Sequence, residues 1–392
     1  MALQYRDFTV RQRLVRPARA LPDQIPERTK EDLERAEGLL GDDFKGVTSN
    51  GTVLRGLFCI EQTGTPTAGI KIAAESVLDS FSSVQREAAT FPIESNEWRR
   101  WSNIHPFLMR HGALLEDMNT DQRDLALGLV KECLSPSGFE LVRNIMRLNE
   151  SIREITCSDE ELGEWLYWLS VMGQPSVAEP WGWQIDGHHL IINCFNLGDQ
   201  LVMTPLFMGS EPVAVDIGKY AGTRVFQEEE RFGLCLAQTL SSEQWRKAII
   251  SEDLPAELFT AAFRDNFELK YEGIPYGELT TQQQTILLDL ISIYVNRIRS
   301  DHAQIKLEEV KQHLQETYFA WMGGSIEEDS VFYYRVHSPV ILIEFDHQGG
   351  IALETDGPSR NHIHTVVRTP NGNDYGKDLL RQHHEQFSHS HQ

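Results

Sequence analysis

The stretch 182–199, GWQIDGHHLIINCFNLGD, decides the fold. Apolar residues alternate with small and polar ones around two adjacent histidines, which is the period-2 pattern of a strand. Successive side chains of a strand point to opposite faces. Read as one strand, the segment sends His188 to the face of Leu190, Ile192 and Cys194, and His189 to the face of Ile191 and Asn193. Neither face is clearly the wet one, so alternation does not choose between the two histidines.

Outward from this stretch, a second strand-rich block lies far downstream. It comprises VFYYRVHSPVILIEFDHQGG (331–350) and, after a polar turn, RNHIHTVVRTPNGNDYG (360–376). Helical patterns occupy most of 66–175 and the segments near 224–250, 256–266 and 279–317. Strand blocks separated by helices that do not form regular βαβ units predict an α+β protein. The expected architecture is a mainly antiparallel sheet built from two distant β blocks and flanked by helices. A first helix is predicted over 28–41, with Thr29 as N-cap and Gly41 as stop. Asn50-Gly51 predicts a hairpin turn before an apolar strand within 47–64. Four segments, SSVQ (82–85), NTDQ (119–122), SSEQ (241–244) and TTQQ (280–283), each open a helical run as a capping box. Their flanking sequences do not match, so they read as repeated chemistry rather than repeated domains.

The chain has 392 residues, 41% of them hydrophobic and 24% charged, with a formal net charge of −22. That charge opposes nucleic acid or an anionic membrane surface as partner and favours a small-molecule substrate. No stretch reaches the roughly 18 apolar residues of a membrane helix. The N-terminal segment lacks the apolar core of a secretory signal and reads as an arm packing on the body, so the expected location is cytoplasmic. Five scattered cysteines without C-x-x-C spacing read as reduced thiols.

The β blocks collect the residues able to do chemistry. His362 and His364 are spaced i, i+2 and share a face if they lie on a strand, a common way to offer two imidazoles to one ion. Glu344 ends the run VILIEF, where a carboxylate is costly to bury unless a metal, a cation or several hydrogen bonds receive it. A buried pair with Arg335 or Arg368 and a ligand role beside the histidines are both open for it. Two histidines and one carboxylate form the facial triad of non-heme iron enzymes, and with zinc the same set would activate water. Arg368 and Asp374 are placed to orient a substrate carboxylate or a histidine, while Asp374 also suits the cap of a helix near Tyr375. Of His188 and His189, one is assigned as a ligand and the other as a contact to ligand or substrate. Trp181 and Trp183 could wall a pocket, and Glu228, Glu229 and Glu230 suit a helix N-terminus.

Phosphate-loop, dinucleotide-fold, zincin and nucleophile-elbow motifs are absent. The ordered series FKGVTSNGTVLRGLF, EWRRWSNIHPF, WGWQIDGHHLIINCF, TPLFMGSEP, YFAWMGG, YYRVHSPVILIEFD and HIHTVVRTPNGNDYGKDLL resembles the family catalogued as domain of unknown function 3500. The resemblance implies one family unit over 44–382, between an arm with the first helix (1–43) and a His-rich tail (383–392). It covers His188, His189, Glu344, His362, His364, Arg368 and Asp374, and supplies no function. The residues point first to a mononuclear non-heme oxidoreductase with a divalent transition metal (iron, zinc, manganese or copper). A zinc hydrolase or lyase and a non-enzymatic ligand-binding protein are the alternatives.

Overall fold

The computed structural model describes residues 9–12, 18–19, 27–103 and 110–388, and it forms all four capping boxes. In each, the cap side chain accepts the N3 backbone N–H, and the N3 glutamine oxygen accepts the cap's own N–H. These boxes mark corresponding points of two halves with the same element order. After α1 (Glu27–Leu40), the first half runs α2 (Ala68–Ser80), α3 (Ser83–Ala89), β1 (Thr90–Phe91), β2 (Ala113–Leu114), α4 (Thr120–Cys133) and α5 (Pro136–Thr156). It continues with β3 (Tyr167–Met172), β4 (Trp181–Gly187), β5 (Leu190–Leu197), a short spur β6 (Gln200–Val202) and β7 (Leu206–Ser210). The second half runs α6 (Gln227–Thr239), α7 (Ser242–Ala248), β8 (Ile249–Ser251), β9 (Ile274–Pro275), α8 (Thr281–Val295) and α9 (Ser300–Gln312). Then follow β10 (Tyr318–Met322), β11 (Tyr333–His337), β12 (Leu342–Gly349), β13 (Pro358–Arg368) and the closing α10 (Lys377–Ser388).

All thirteen strands join one sheet: ten run in the order β1-β3-β4-β5-β7-β13-β12-β11-β10-β8, which reads alike from either end in the terms of each half, and β2, β6 and β9 pair beside it with β3, β5 and β10. The pairs β1–β3 and β8–β10 are parallel and the others antiparallel, so the α+β expectation holds. Registers match as well. Gln184 pairs with Asn193 and Arg335 with Glu344, an offset of 151 in both positions (335 − 184 and 344 − 193). Ile191 pairs with Phe207 and Leu342 with Arg368, which makes Phe207 and Arg368 equivalent, 161 apart. Their neighbours Leu206 and Val367 pair with each other, so a pseudo-two-fold axis crosses the sheet there. The glutamines of the boxes repeat the same bonds. Gln122 Nε2 donates to Ser80 O (2.7 Å) and Gln85 Oε1 (3.0 Å), and Gln283 Nε2 to Thr239 O (2.8 Å) and Gln244 Oε1 (3.0 Å). The boxes are therefore traces of a structural repeat, which corrects the reading of repeated chemistry alone.

The two faces of the sheet differ in kind. One carries Trp183, Ile185, Ile192, Cys194, Met208, Tyr334, Ile343 and Phe345, all buried. Helices cover it: Cys133 of α4 lies 3.8 Å from Cys194, and Tyr294 of α8 bonds Tyr334 (2.5 Å). The other face carries Gln184, Asp186, Asn193, Arg335, His337, Glu344, Asp346, His362, His364 and Arg368, also buried. Two segments without α-helix, 92–103 and 252–273, cover this polar face by hydrogen bonding. Gln184 Nε2 donates to Trp98 O (3.0 Å), and Phe259 N–H donates to Glu344 (2.8 Å).

Three local expectations fail. The helix expected at 256–266 is absent, because the N–H groups of Phe259 and Thr260 are spent on Glu344 and Phe263 turns left-handed (φ 64°). The turn at Asn50-Gly51 forms, but 47–64 makes no hairpin. Its backbone bonds side chains instead, Leu54 N–H to Asn371 Oδ1 (3.1 Å) and Glu61 N–H to Gln200 Oε1 (3.0 Å). Thr29 lies inside α1 rather than capping it. Most of the N-terminal arm lies outside the described residues, though Arg11 N–H bonds Ala352 O (3.0 Å). Among the described residues no helix is long and apolar enough to cross a membrane.

Candidate metal centre

His188 and His189 are not strand residues. Gly187 pairs with Leu190, so the two histidines form the two-residue turn between β4 and β5. His189 has φ 62°, a left-handed conformation that histidine adopts more readily than most residues. Freed from strand alternation, the rings stack on each other, with centroids 3.9 Å apart and planes 25° apart. The turn is held by Tyr167 OH donating to His188 O (3.1 Å) and Gly209 N–H donating to His189 O (2.8 Å). His188 Nδ1 bonds Asn149 Oδ1 of α5 (2.8 Å), which fixes that ring behind its neighbour. His188 thus backs the ring of His189 and is not one of the three residues whose donor atoms converge.

His189 reaches across β7 toward His362 and His364 on β13. Its Nε2 lies 3.1 Å from His362 Nε2, which lies 3.0 Å from His364 Nε2. The donor atoms of all three are within 4.8 Å of one another, and all three residues are buried. Gly209 lies beneath them: a Cβ there would meet His364 Cδ2 at 2.8 Å and His189 Cδ2 at 3.1 Å.

The far sides of the rings assign their protons. His362 Nδ1 faces the carbonyl of Gly349 (2.8 Å), which can only accept, so Nδ1 carries hydrogen and donates. His364 Nδ1 donates in the same way to Glu257 Oε1 (2.9 Å). In neutral rings this leaves Nε2 lone pairs facing each other at 3.0 Å, a repulsive contact unless a cation sits between them. Burial pushes the His362 pKa down, which favours the neutral ring. The set fits a metal ion: bonds of about 2.1 Å at right angles hold neighbouring donors ~3.0 Å apart, against ~3.4 Å in a tetrahedron. Glu257 supplies the carboxylate that orients a ligating histidine. Burial raises its pKa, but His364 and nearby N–H groups bring it below the usual range. Glu257 is also the partly open edge of the cluster, with its side chain 28% exposed.

Glu344 does not join this centre. It accepts from Phe259 N–H (2.8 Å), Thr260 N–H (2.9 Å), Tyr333 OH (2.8 Å) and the Thr260 hydroxyl, and this saturates both oxygens. Its role is to anchor segment 252–273 to the sheet. Arg335 faces it across the strands but bonds Glu272 (2.9 Å). Arg368 and Asp374 likewise stand in a separate buried network and are not among the converging donor residues. Both are fully buried and bonded to each other (3.0 Å), and Arg368 also binds Asp265 (2.9 Å), Thr260 O (2.8 Å) and Ala261 O (3.2 Å). Asp374 caps no helix; its other oxygen accepts Thr369 N–H (2.7 Å).

His337 is buried near Arg335 and against the Tyr271 ring. His347 lies on the helix-covered face against Glu230 (3.0 Å). Trp181 and Trp183 are core, and Cys194 sits beside Cys133. His383 and His384 lie against Glu179 (3.3 Å) and Glu94 (3.1 Å), and residues 389–392 are outside the described residues. Sequence reasoning missed Glu257, Asp346 and Gly209. Asp346 was within reach, since it follows Glu344 by two and shares its face. It groups with Glu257 and His364, and its Oδ1 has no partner among the described residues. Glu257 carried no signal, because its segment resembles a helix.

Fold and cluster together define a pseudo-symmetric α+β protein with three converging imidazoles at the seam of its halves. The chain belongs to the family described as protein of unknown function (DUF3500), whose family model matches residues 63–377. No curated protein and no solved structure matches it.

Proposed function

We propose that this protein is a mononuclear non-heme metal oxidoreductase acting on a small organic molecule, with His189, His362 and His364 as the metal ligands. The observation that carries the reading is the convergence of three Nε2 atoms, His189 to His362 at 3.1 Å and His362 to His364 at 3.0 Å, with the Nδ1–H groups of His362 and His364 engaged elsewhere. That spacing of neighbouring donors suits a six-coordinate ion such as iron(II) or manganese(II) better than tetrahedral zinc. Such an ion, when bound, supplies a redox-active centre with positions open to substrate. The chain's own groups do the rest. Glu257 holds the proton on His364 Nδ1 and keeps its ring aimed at the cluster. Asn149 fixes His188, which stacks behind His189. Asp346 Oδ1, buried and without a hydrogen-bond partner among the described residues, is placed to accept a hydrogen bond from substrate.

The test is metal analysis of full-length protein purified without an affinity tag of histidines, then titrated anaerobically with iron(II), manganese(II) and zinc(II). The expected result is ~1 equivalent of tightly bound metal, lost in His189→Ala, His362→Ala and His364→Ala but kept in Glu344→Gln. Less than about a tenth of an equivalent, with no binding on titration, overturns the proposal. Tight binding of zinc alone, with no affinity for iron or manganese, transfers the site to the hydrolase or lyase reading.

A further inference from the structure

On the opposite side of the sheet from the histidines, a groove of about 780 Å³ runs between α9, the coil 56–65 and β6. Its size is that of a small-molecule site. Four acids line it, Glu61, Asp301, Glu308 and Glu309, against one lysine, Lys306. Lys306 is already held by Glu309 (2.8 Å) and Val340 O (2.9 Å), while Asp301 and Glu308 pair with Arg299 and Lys311. Glu61 is exposed and has no cationic partner among the described residues, so the groove carries an unspent negative charge. At its floor lies His302, 4% exposed, whose Nε2 meets no hydrogen-bond partner among the described residues. A buried polar atom left this way is unfavourable unless something binds it. Behind His302 is an apolar chamber of about 60 Å³ lined by Leu201, Leu206, Ile298, Ile341 and Val367, and His302, Lys306 and Glu309 border both spaces.

We infer that this groove is a second ligand site, for a small organic cation with an apolar arm. The ammonium pairs with Glu61, an N–H of the ligand donates to His302 Nε2, and a short alkyl or aryl group enters the chamber. Burial brings the His302 pKa down to about 4, so the imidazole is neutral at physiological pH and does not repel the cation. Leu206 and Val367 belong to the helix-covered face of the sheet and the metal centre to the other, so this site stands independently of the proposed function.

The test is calorimetric titration of the full chain with butylammonium and benzylammonium, and with butyrate and benzoate as matched anions. The expected result is saturable 1:1 binding of the ammonium probes, absent for the carboxylates. Glu61→Gln should weaken it at least about fivefold, and Leu201→Phe, which narrows the chamber, should abolish benzylammonium binding with bound metal unchanged. No saturable binding of either ammonium at about 10 mM, equal binding of the anions, or an unaltered affinity in Glu61→Gln overturns the inference.

Discussion

Replacing Arg368 with methionine separates a structural from a catalytic role for this residue. Methionine fills similar volume but removes a guanidinium that makes four hydrogen bonds inside the fold. Asp265 keeps Arg99 (2.9 Å) and Tyr375 (3.0 Å). Asp374 keeps only Thr369 N–H, and burial already raises its pKa against the pull of Arg368. Breaking a buried pair from one side costs about 3–5 kcal/mol, because the remaining charge is left without compensation. With 392 residues at ~2.1 cal/mol/K each, the unfolding entropy is ~0.8 kcal/mol/K, so Tm should fall by about 4–6 °C. The assay is urea and thermal unfolding followed by circular dichroism, with bound metal measured on the same samples below the transition. Metal content should be unchanged, and adding Asp374→Asn should restore ~1–2 kcal/mol by removing the stranded charge. A loss under about 1 kcal/mol, or lost metal with stability intact, would refute the reasoning and return Arg368 to the site.

Gly209→Ala should lower metal affinity by at least about tenfold, measured by competition with a chelator, because the new methyl group pushes the His189 and His364 rings apart. A variant that binds metal as the wild type does would show that the rings do not close over this strand. Gln122→Leu and Gln283→Leu should each cost ~1–2 kcal/mol and add in the double variant, since they occupy equivalent but distant positions. Strongly unequal losses would contradict the equivalence of the halves. His337 supplies the pH test: burial, then the charge of Arg335, brings its folded pKa down to about 3, while the unfolded chain titrates near 6.5. The unfolded state therefore takes up the proton first, so this contribution to stability is full above pH ~6.5 and is lost progressively down to pH ~3. Between pH 6.5 and 4.5 the wild type should lose about 2 kcal/mol more than His337→Phe, measured by urea unfolding, and parallel pH slopes would dismiss the assignment.

The sheet was legible because VILIEFDH alternates so plainly. Ile343 and Phe345 face the helices, and Glu344 and Asp346 face the polar cover. The same alternation misled at His188-His189, where the chain turns back through two histidines and the one turn residue, Gly187, sits just before them. The stacking of two adjacent rings depends on a positive φ at His189, which residue type alone does not signal. The internal repeat was hidden for another reason. Its offset drifts between 151 and 161 residues because connecting loops differ in length, and few identities survive beyond the capping glutamines. Glu344 stood out as a carboxylate in an apolar run, yet what receives it is the backbone of a segment more than eighty residues away in sequence, which no local pattern encodes.

The β7–β13 pair bears on how such a chain can arise. An antiparallel contact about a two-fold axis is isologous, the arrangement by which identical subunits pair through their edge strands. Each half of this protein has the form of such a subunit, and fusion turns two vulnerable edges into the interior of one sheet. Fusion also releases the halves from identity. The positions 161 before His362 and His364 are Leu201 and Met203, and the turn 151 after His188 and His189 is Pro339-Val340. A homodimer of identical chains must carry two equal centres, whereas this fused pair keeps imidazoles at one seam and gives the matching seam to aliphatic packing.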